Sequence, residues 1–443
     1  MSVAVPKMTY GAEIWYNPPR KTPGAKHKTG SVRVLHQLTK VQRMATIVIN
    51  GALRTTPTDI LDIHAGIMPL ECTMLKVCHR ALVRLCTLPE LHPLHQVIHE
   101  YCSVHARKHY MPLHKLMDLF PEIHLDKLET ITPDLQRAPY VSLPFDTEIA
   151  KDQEDSMLNE VTSKPEIKVF TDRSGMEGKI GAVAVMYRKG RPMPAKVLRY
   201  HLGSSKKYTS FKAEVVGAIL GVWLIRMEHV AGHLPIAVLT DSQAVIKRIR
   251  TCKMTTTQYL IENFLTLTDG INAANVNPNL KKFKLAWISG HSRVQGNEKV
   301  DEEAKRAAQG DSSPQHILPP LLQGELPTSM AAVKQDFHRE LMDRWKVMWM
   351  ASPRQPKLSW LDPCFTYRHY AKLQSELRRQ QVSILTQICT GHIPLNFYLH
   401  CIKKSEMSNC TACQRRRLPA KETLTHFLFE CEAYNRERHE LDR

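Results

Sequence analysis

Between residues 166 and 310 the apolar residues change their period in an order that few folds accommodate. EIKVFTD is a short β-branched run, followed by the turn-like RSGMEGK. IGAVAVMYRKG and AKVLRYHLG are two more such runs, each ending at a turn. Residues 209–230 then switch to a helical period, with Ala213, Val216, Leu220 and Leu224 on one face. A fourth strand (PIAVLTD), helices over about 242–250 and 256–267, a fifth strand (FKLAWIS) and a last helix (GNEKVDEEAKRAAQ) complete the series. Three strands in a meander followed by alternating helices and strands predict an α/β fold, a mixed five-stranded sheet with helices on its faces.

Four acidic residues fall at the ends of these elements. Asp172 closes the first strand and Asp241 the fourth; Glu214 and Asp301 lie in the first turns of helices. Singly, each has an ordinary reading as a turn, cap, helix-dipole or surface residue. Together they are predicted at one sheet edge, where strand ends in α/β folds collect ligands. Crowded carboxylates require cations, and hard oxygen donors suit Mg²⁺ or Mn²⁺. Two such ions about 4 Å apart would stabilise both the attacking and leaving oxygens of a phosphodiester displacement.

TDRSG, FKAEVVGA, LTDSQAV and WISGHSRVQGNEKVDEEA resemble, in that order, the four signature blocks of type 1 ribonuclease H, most of all those in non-LTR retrotransposon polyproteins. The resemblance covers about residues 166–310. It implies a ribonuclease H-like sheet and cleavage of the RNA strand of an RNA/DNA hybrid. It also implies roles: Asp172 bridging both ions, Asp301 completing the site that activates water, Glu214 and Asp241 holding the ion at the leaving 3′ oxygen. His291, in SGHSRVQGNE, would assist proton transfer or product release. The chain departs from the pattern at Arg173, where the family usually has Gly. It departs again at YTSFK, where Asn residues that touch the hybrid often stand.

The charge agrees with a polyanionic partner. The net charge is +18, and residues 151–310, with 25 basic and 16 acidic side chains, hold half of the excess. Hydrophobic residues at 43% and charged residues at 23% are ordinary for a globular chain. No run of about 18 apolar residues predicts a membrane span. The first residues do not form a secretory signal, and 11 cysteines, an odd number, favour a reduced, intracellular setting, the nucleus included.

The flanks read as separate parts. Residues 1–110 are helical after a basic lead-in, with Leu35, Leu38, Val41 and Met44 recurring at three-residue steps. YGAEIWY and LTKVQRMATIVINGALRTTPTDILDIHAGIMPLE resemble the segment that follows the palm of non-LTR reverse transcriptases. This implies a thumb or connection remnant whose polymerase site would lie upstream of Met1. Residues 111–165 and 311–330 are Pro-rich and predicted as linkers. Residues 331–443 are a helical tail containing Cys410, Cys413, His426 and Cys431 in the spacing C-x2-C-x12-H-x4-C. Two thiolates two residues apart and a later His/Cys pair suit a tetrahedral Zn²⁺ in a small module. Arg415, Arg416 and Arg417 lie between the half-sites, where phosphates could reach them; Cys389, His392 and Cys401 read as core residues rather than ligands.

The expected activity is therefore that of a metal-dependent endoribonuclease for RNA/DNA hybrids, derived from a retroelement. The alternative is a non-catalytic, nucleic-acid-binding remnant. A transposase or integrase of related fold fits less well, because such sites usually use three carboxylates. Oligomeric state and cleavage preference are not encoded legibly.

Overall fold

The computed structural model describes residues 3–103, 111–131, 143–156, 165–228, 235–251, 255–273, 283–289, 295–365, 368–417 and 419–441. The chain divides into two compact units, one made of Met1–Cys78 with His338–Arg443 and the other of His79–Phe337.

The second unit is built on a mixed sheet. Its strands are β1 (Asp146–Glu148), β2 (Ile167–Met176), β3 (Lys179–Arg188), β4 (Lys196–Ser204), β5 (Ile236–Thr240) and β6 (Phe283–Trp287), in the order β1-β6-β5-β2-β3-β4. β2, β3 and β4 form the antiparallel meander, while β5 and β6 run parallel to β2. The sheet has six strands rather than the expected five. β1, three residues long, pairs parallel with β6 from within the stretch predicted as a linker. So short a strand carries no readable period. It is held by Phe145, whose ring lies 5.1 Å from Phe283 and 5.9 Å from Phe264, and by Arg250, which donates to the Thr147 hydroxyl at 2.8 Å.

β2 also runs further than predicted. RSGM is strand, paired with β3 through Met176 and Lys179, and only Glu177 and Gly178 turn, both at positive φ. Two left-handed residues match the twist of an antiparallel hairpin.

Four helices cover the sheet: α1 (Ser210–Met227), α2 (Gln243–Arg250), α3 (Gln258–Ala273) and α4 (Gln295–Gln309). Strand alternation explains why the apolar runs look continuous. Val169, Ala182, Ala184, Val238 and Leu285 pack in one cluster with α1 and α3; Phe170, Val183, Val185, Leu239 and Ala286 pack in another with Val300 and Ala304 of α4. α4 lies very close to β3. A Cβ on Gly181 would meet Ala308 N at 2.3 Å, so only glycine admits this approach.

Residues 311–330, predicted as a linker, instead lie along this unit. Leu318, Leu322 and Leu326 enter the core beside α1, and Trp223 donates its indole N–H to the Ile317 carbonyl at 2.8 Å. Beyond them, Leu128 and Thr328 form a parallel bridge, and buried Glu129 accepts from the Thr257 and Met330 amides. Prolines mask the four-residue spacing of the three leucines.

In the first unit the helix Val32–Asn50 turns an unexpected face inward. Val41 and Met44, expected in an apolar stripe, are exposed; Gln42, Thr46 and Asn50 are buried. The reason lies in the partners. Gln42 donates to the Asp62 carboxyl at 3.1 Å and to the Met68 carbonyl at 3.2 Å, and Asn50 donates to the Leu61 carbonyl at 3.0 Å. The apolar centre is elsewhere, where Ile60, Ile63, Trp345, Trp349, Leu358 and Tyr370 cluster. Trp360, by contrast, is exposed. Among the described residues no helix is long and apolar enough to cross a membrane.

Candidate active site and metal centre

The strand register brings two carboxylates together. Thr171 of β2 pairs with Thr240 of β5, so Asp172 and Asp241 follow side by side where β5 ends and its pairing with β2 stops. Asp172 is partly buried, and its Oδ1 accepts the Arg173 amide at 2.6 Å. Burial first, then the charges of Asp241 and Asp301, push its pKa up to about 7. Asp172 therefore lies within electrostatic reach of both the residue that follows β5 and a carboxylate of α4. Asp301 itself is exposed and pairs with Lys305 at 2.6 Å, one helical turn on.

Glu214 approaches from α1. The helix begins at Thr209, whose side chain caps the Lys212 amide at 3.1 Å, and this sets Glu214 in the second turn. One Glu214 oxygen accepts Arg173 Nε at 3.4 Å, and the other accepts the Ser242 hydroxyl. Ser242 directly follows Asp241 and caps α2. Thus Glu214 touches the immediate chain neighbours of both Asp172 and Asp241. His291 lies outside the described residues.

Three members of this site were not legible as such. Arg173 read only as a departure, Ser242 only as a cap, and Lys305 only as a helix residue, although its four-residue spacing from Asp301 was a usable signal. The YTSFK stretch is committed to structure. Tyr208 donates its hydroxyl to the Leu326 carbonyl at 2.8 Å. Buried Lys212 donates to the Pro327 carbonyl and lies 5.1 Å from the Tyr208 ring. Burial lowers the Lys212 ammonium to about 8, and Glu129 only partly opposes this.

The second candidate centre lies in the first unit. Cys410, Cys413, His426 and Cys431 place their ligand atoms within 4.8 Å of one another, the one such set among the described residues. Sγ separations are 3.8 Å for Cys410–Cys431 and 3.6 Å for Cys413–Cys431, with Cys413 Sγ 3.4 Å from His426 Nε2. These are too long for a disulfide, whose S–S bond is about 2.05 Å. They match the edges of a tetrahedron with Zn–S of about 2.3 Å and Zn–N of about 2.0–2.1 Å, which span roughly 3.5–3.8 Å. A π-helical turn over His426–Glu430 carries the Cys431 amide back to the His426 carbonyl at 2.8 Å, which draws the second half-site together. Glu430 lies 3.6 Å from His426 Nδ1, where a carboxylate orients a metal-binding imidazole. Arg415, Arg416 and Arg417 are exposed, and Arg416 pairs with Glu432. Cys389 packs with the apolar centre of this unit, His392 contacts Tyr398, and Cys401 is exposed; none joins the cluster.

The family match falls within the second unit. Residues 164–309 match the RNase H family. The N-terminal RNase H domain of a Mycobacterium tuberculosis protein is 17% identical, covering 32% of this chain and 98% of that one, with a TM-score of 0.25. RNase H1 from the halophilic archaeon Halobacterium salinarum is 14% identical over 33% of this chain and 98% of that one, TM-score 0.25. A foamy viral protease-reverse transcriptase in complex with RNA/DNA hybrid is 12% identical, covering 41% of this chain and 22% of that one, TM-score 0.27. No curated protein matches the chain.

Proposed function

We propose that this chain is a divalent-metal-dependent endoribonuclease that cuts the RNA strand of RNA/DNA hybrids. Residues 164–309 form an RNase H domain. The observation that carries the reading is Asp172. Its carboxyl lies where β2 and β5 pair side by side, and burial first, then the charges of Asp241 and Asp301, raise its pKa toward neutrality. Such a pocket of negative potential calls for a cation, and the donors are hard oxygens that fit Mg²⁺ or Mn²⁺.

Asp172, Glu214, Asp241 and Asp301 would hold the ions. When bound, a pair of them would supply Lewis-acid stabilisation to the attacking and leaving oxygens. The chain's own contributions are positional. The Arg173 amide fixes one Asp172 oxygen, the Ser242 hydroxyl fixes one Glu214 oxygen, and α4 presents Asp301. By the family resemblance, His291 would receive or deliver a proton near the leaving group. Contact with the 2′-hydroxyl would select RNA over DNA. The basic excess of this region would grip phosphates with a steep salt dependence.

We also propose that Cys410, Cys413, His426 and Cys431 bind one Zn²⁺, and that the chain is a retroelement fragment. In this reading residues 1–110 are a thumb-like remnant, and the RNase H domain is extended by the segments around 143–156 and 311–330. A second reading, a remnant that binds hybrids without cutting them, draws support from Arg173, which engages Glu214 where the family usually has Gly. Incubation of a labelled RNA/DNA hybrid with Mg²⁺ or Mn²⁺, beside single-stranded and duplex RNA, tests both. Hybrid-selective cleavage supports the enzyme; retention of the hybrid with no cleavage supports the remnant.

A further inference from the structure

We propose that Arg173 is an internal cation that competes for Glu214 and is drawn off by a substrate phosphate, so that divalent metal and hybrid bind cooperatively. The proposal rests on the metal-dependent reading above and adds a regulatory step to it. Arg173 Nε lies 3.4 Å from Glu214 Oε1, and the second oxygen of the same carboxylate is occupied by the Ser242 hydroxyl. One lone-pair direction of Glu214 Oε1, and the charge of the carboxylate, are therefore shared with the guanidinium until Arg173 moves. Arg173 can move. Its side chain is 39% exposed, whereas that of Glu214 is 16% exposed. The guanidinium thus has open solvent on one side, while the carboxylate is held by the Ser242 hydroxyl as well.

The position of Arg173 gives it an alternative. It follows Asp172 in β2, just past the point where the pairing with β5 stops and the carboxylates gather. Any phosphodiester presented to these carboxylates comes within reach of the same guanidinium. A planar fork of donors binds phosphate at least as well as carboxylate. Transfer of Arg173 from Glu214 to phosphate would release a metal-binding oxygen at the moment the substrate arrives. By linkage, whatever frees Glu214 strengthens metal binding, and metal bound there strengthens substrate binding by the same factor. Without hybrid, the guanidinium already neutralises part of the site and lowers its affinity for a divalent ion.

The magnitude follows from the exposure of the pair. In the upper part of the range for ion pairs this accessible, about 0.4–1 kcal/mol, its removal should tighten metal binding about two- to fivefold. The test is Mn²⁺ binding followed by electron paramagnetic resonance on the full chain. It is measured with and without a hybrid whose RNA strand is 2′-O-methylated and cannot be cut. The wild type should bind Mn²⁺ more tightly with hybrid present. Arg173→Gln should bind Mn²⁺ about two- to fivefold more tightly than wild type without hybrid, and the hybrid should add little further. Equal Mn²⁺ affinity in wild type and Arg173→Gln, with and without hybrid, overturns the proposal. Asp172→Asn separates this failure from failure of the metal reading. If Asp172→Asn also leaves Mn²⁺ binding unchanged, the carboxylates hold no ion and both proposals fall.

Discussion

Gly181 links the packing of the sheet to the position of Asp301, and Gly181→Ala measures that link. The added methyl would lie 2.3 Å from Ala308 N, 2.4 Å from Ala307 C and 2.7 Å from Ala307 Cβ. Non-bonded carbon atoms settle at about 3.5–4.0 Å, so α4 must retreat by roughly 1 Å. The obstacle is helix backbone rather than the tip of a flexible side chain, so no rotamer change relieves it. Overpacking of this kind costs about 1–3 kcal/mol. Loss of glycine's freedom in the unfolded chain returns about 0.4–1 kcal/mol. The clash wins, leaving a net loss of about 1–2 kcal/mol and a fall in melting temperature of about 2–8 °C. The functional effect should be larger, because α4 carries Asp301. A displacement of about 1 Å in a catalytic group can cost about 100-fold in rate. Hybrid cleavage by Gly181→Ala should therefore fall by about 10- to 100-fold while the variant remains folded at 25 °C. Gly324→Ala is the control, since a Cβ there meets nothing within 4 Å, and it should keep both properties. Unchanged melting and unchanged cleavage in Gly181→Ala would refute the packing argument. Normal melting-point loss with full cleavage would detach Asp301 from the reaction.

Three further outcomes are expected. Asp172→Asn should abolish hybrid cleavage with the far-ultraviolet spectrum intact, because a ligand between two cations supplies several kcal/mol of transition-state stabilisation; an unchanged rate removes Asp172 from the site. Cys413→Ser should lower zinc content by about one ion per chain and open the region beyond about residue 385 to protease, since metal affinity is folding energy in a small module; full zinc content in the variant ends that assignment. Asp62 is buried beside Gln42, and burial raises its pKa from 3.8 to about 7. Because the folded state favours the protonated form, its contribution is whole below about pH 4 and is lost as pH rises through 7. Asp62→Asn keeps the acceptor for Gln42 and should gain stability over wild type between pH 5 and 8, with a ceiling of about 4 kcal/mol. Denaturant unfolding at the two pH values measures it, and an equal gap at both sinks the reasoning.

Period and punctuation alone made the meander, the four helices and β5 and β6 readable, because each element of the second unit buries its own apolar residues and alternation along a strand is a local property. The four carboxylates were singled out from local context alone, two after β-branched runs and two within helical periods, although β2 runs on past Asp172 to Met176 and Asp301 stands well inside α4. The Cys/His quartet was readable from ligand spacing. What the sequence hid depends on partners far away in the chain. β1 exists because Phe145 meets Phe264 and Phe283, and Arg250 meets Thr147. The inward face of Val32–Asn50 is polar because Asp62 and two carbonyls await it, which inverts the usual rule for an amphipathic helix. Leu318, Leu322 and Leu326 are core because α1 lies beneath them, not because their own segment has a period. The engagement of Glu214 by Arg173 and Ser242 was decided only when α1 crossed the ends of β2 and β5. Local chemistry fixes which element a residue occupies, but the partner of a buried polar group is set by packing between elements, and no single stretch of sequence carries that information.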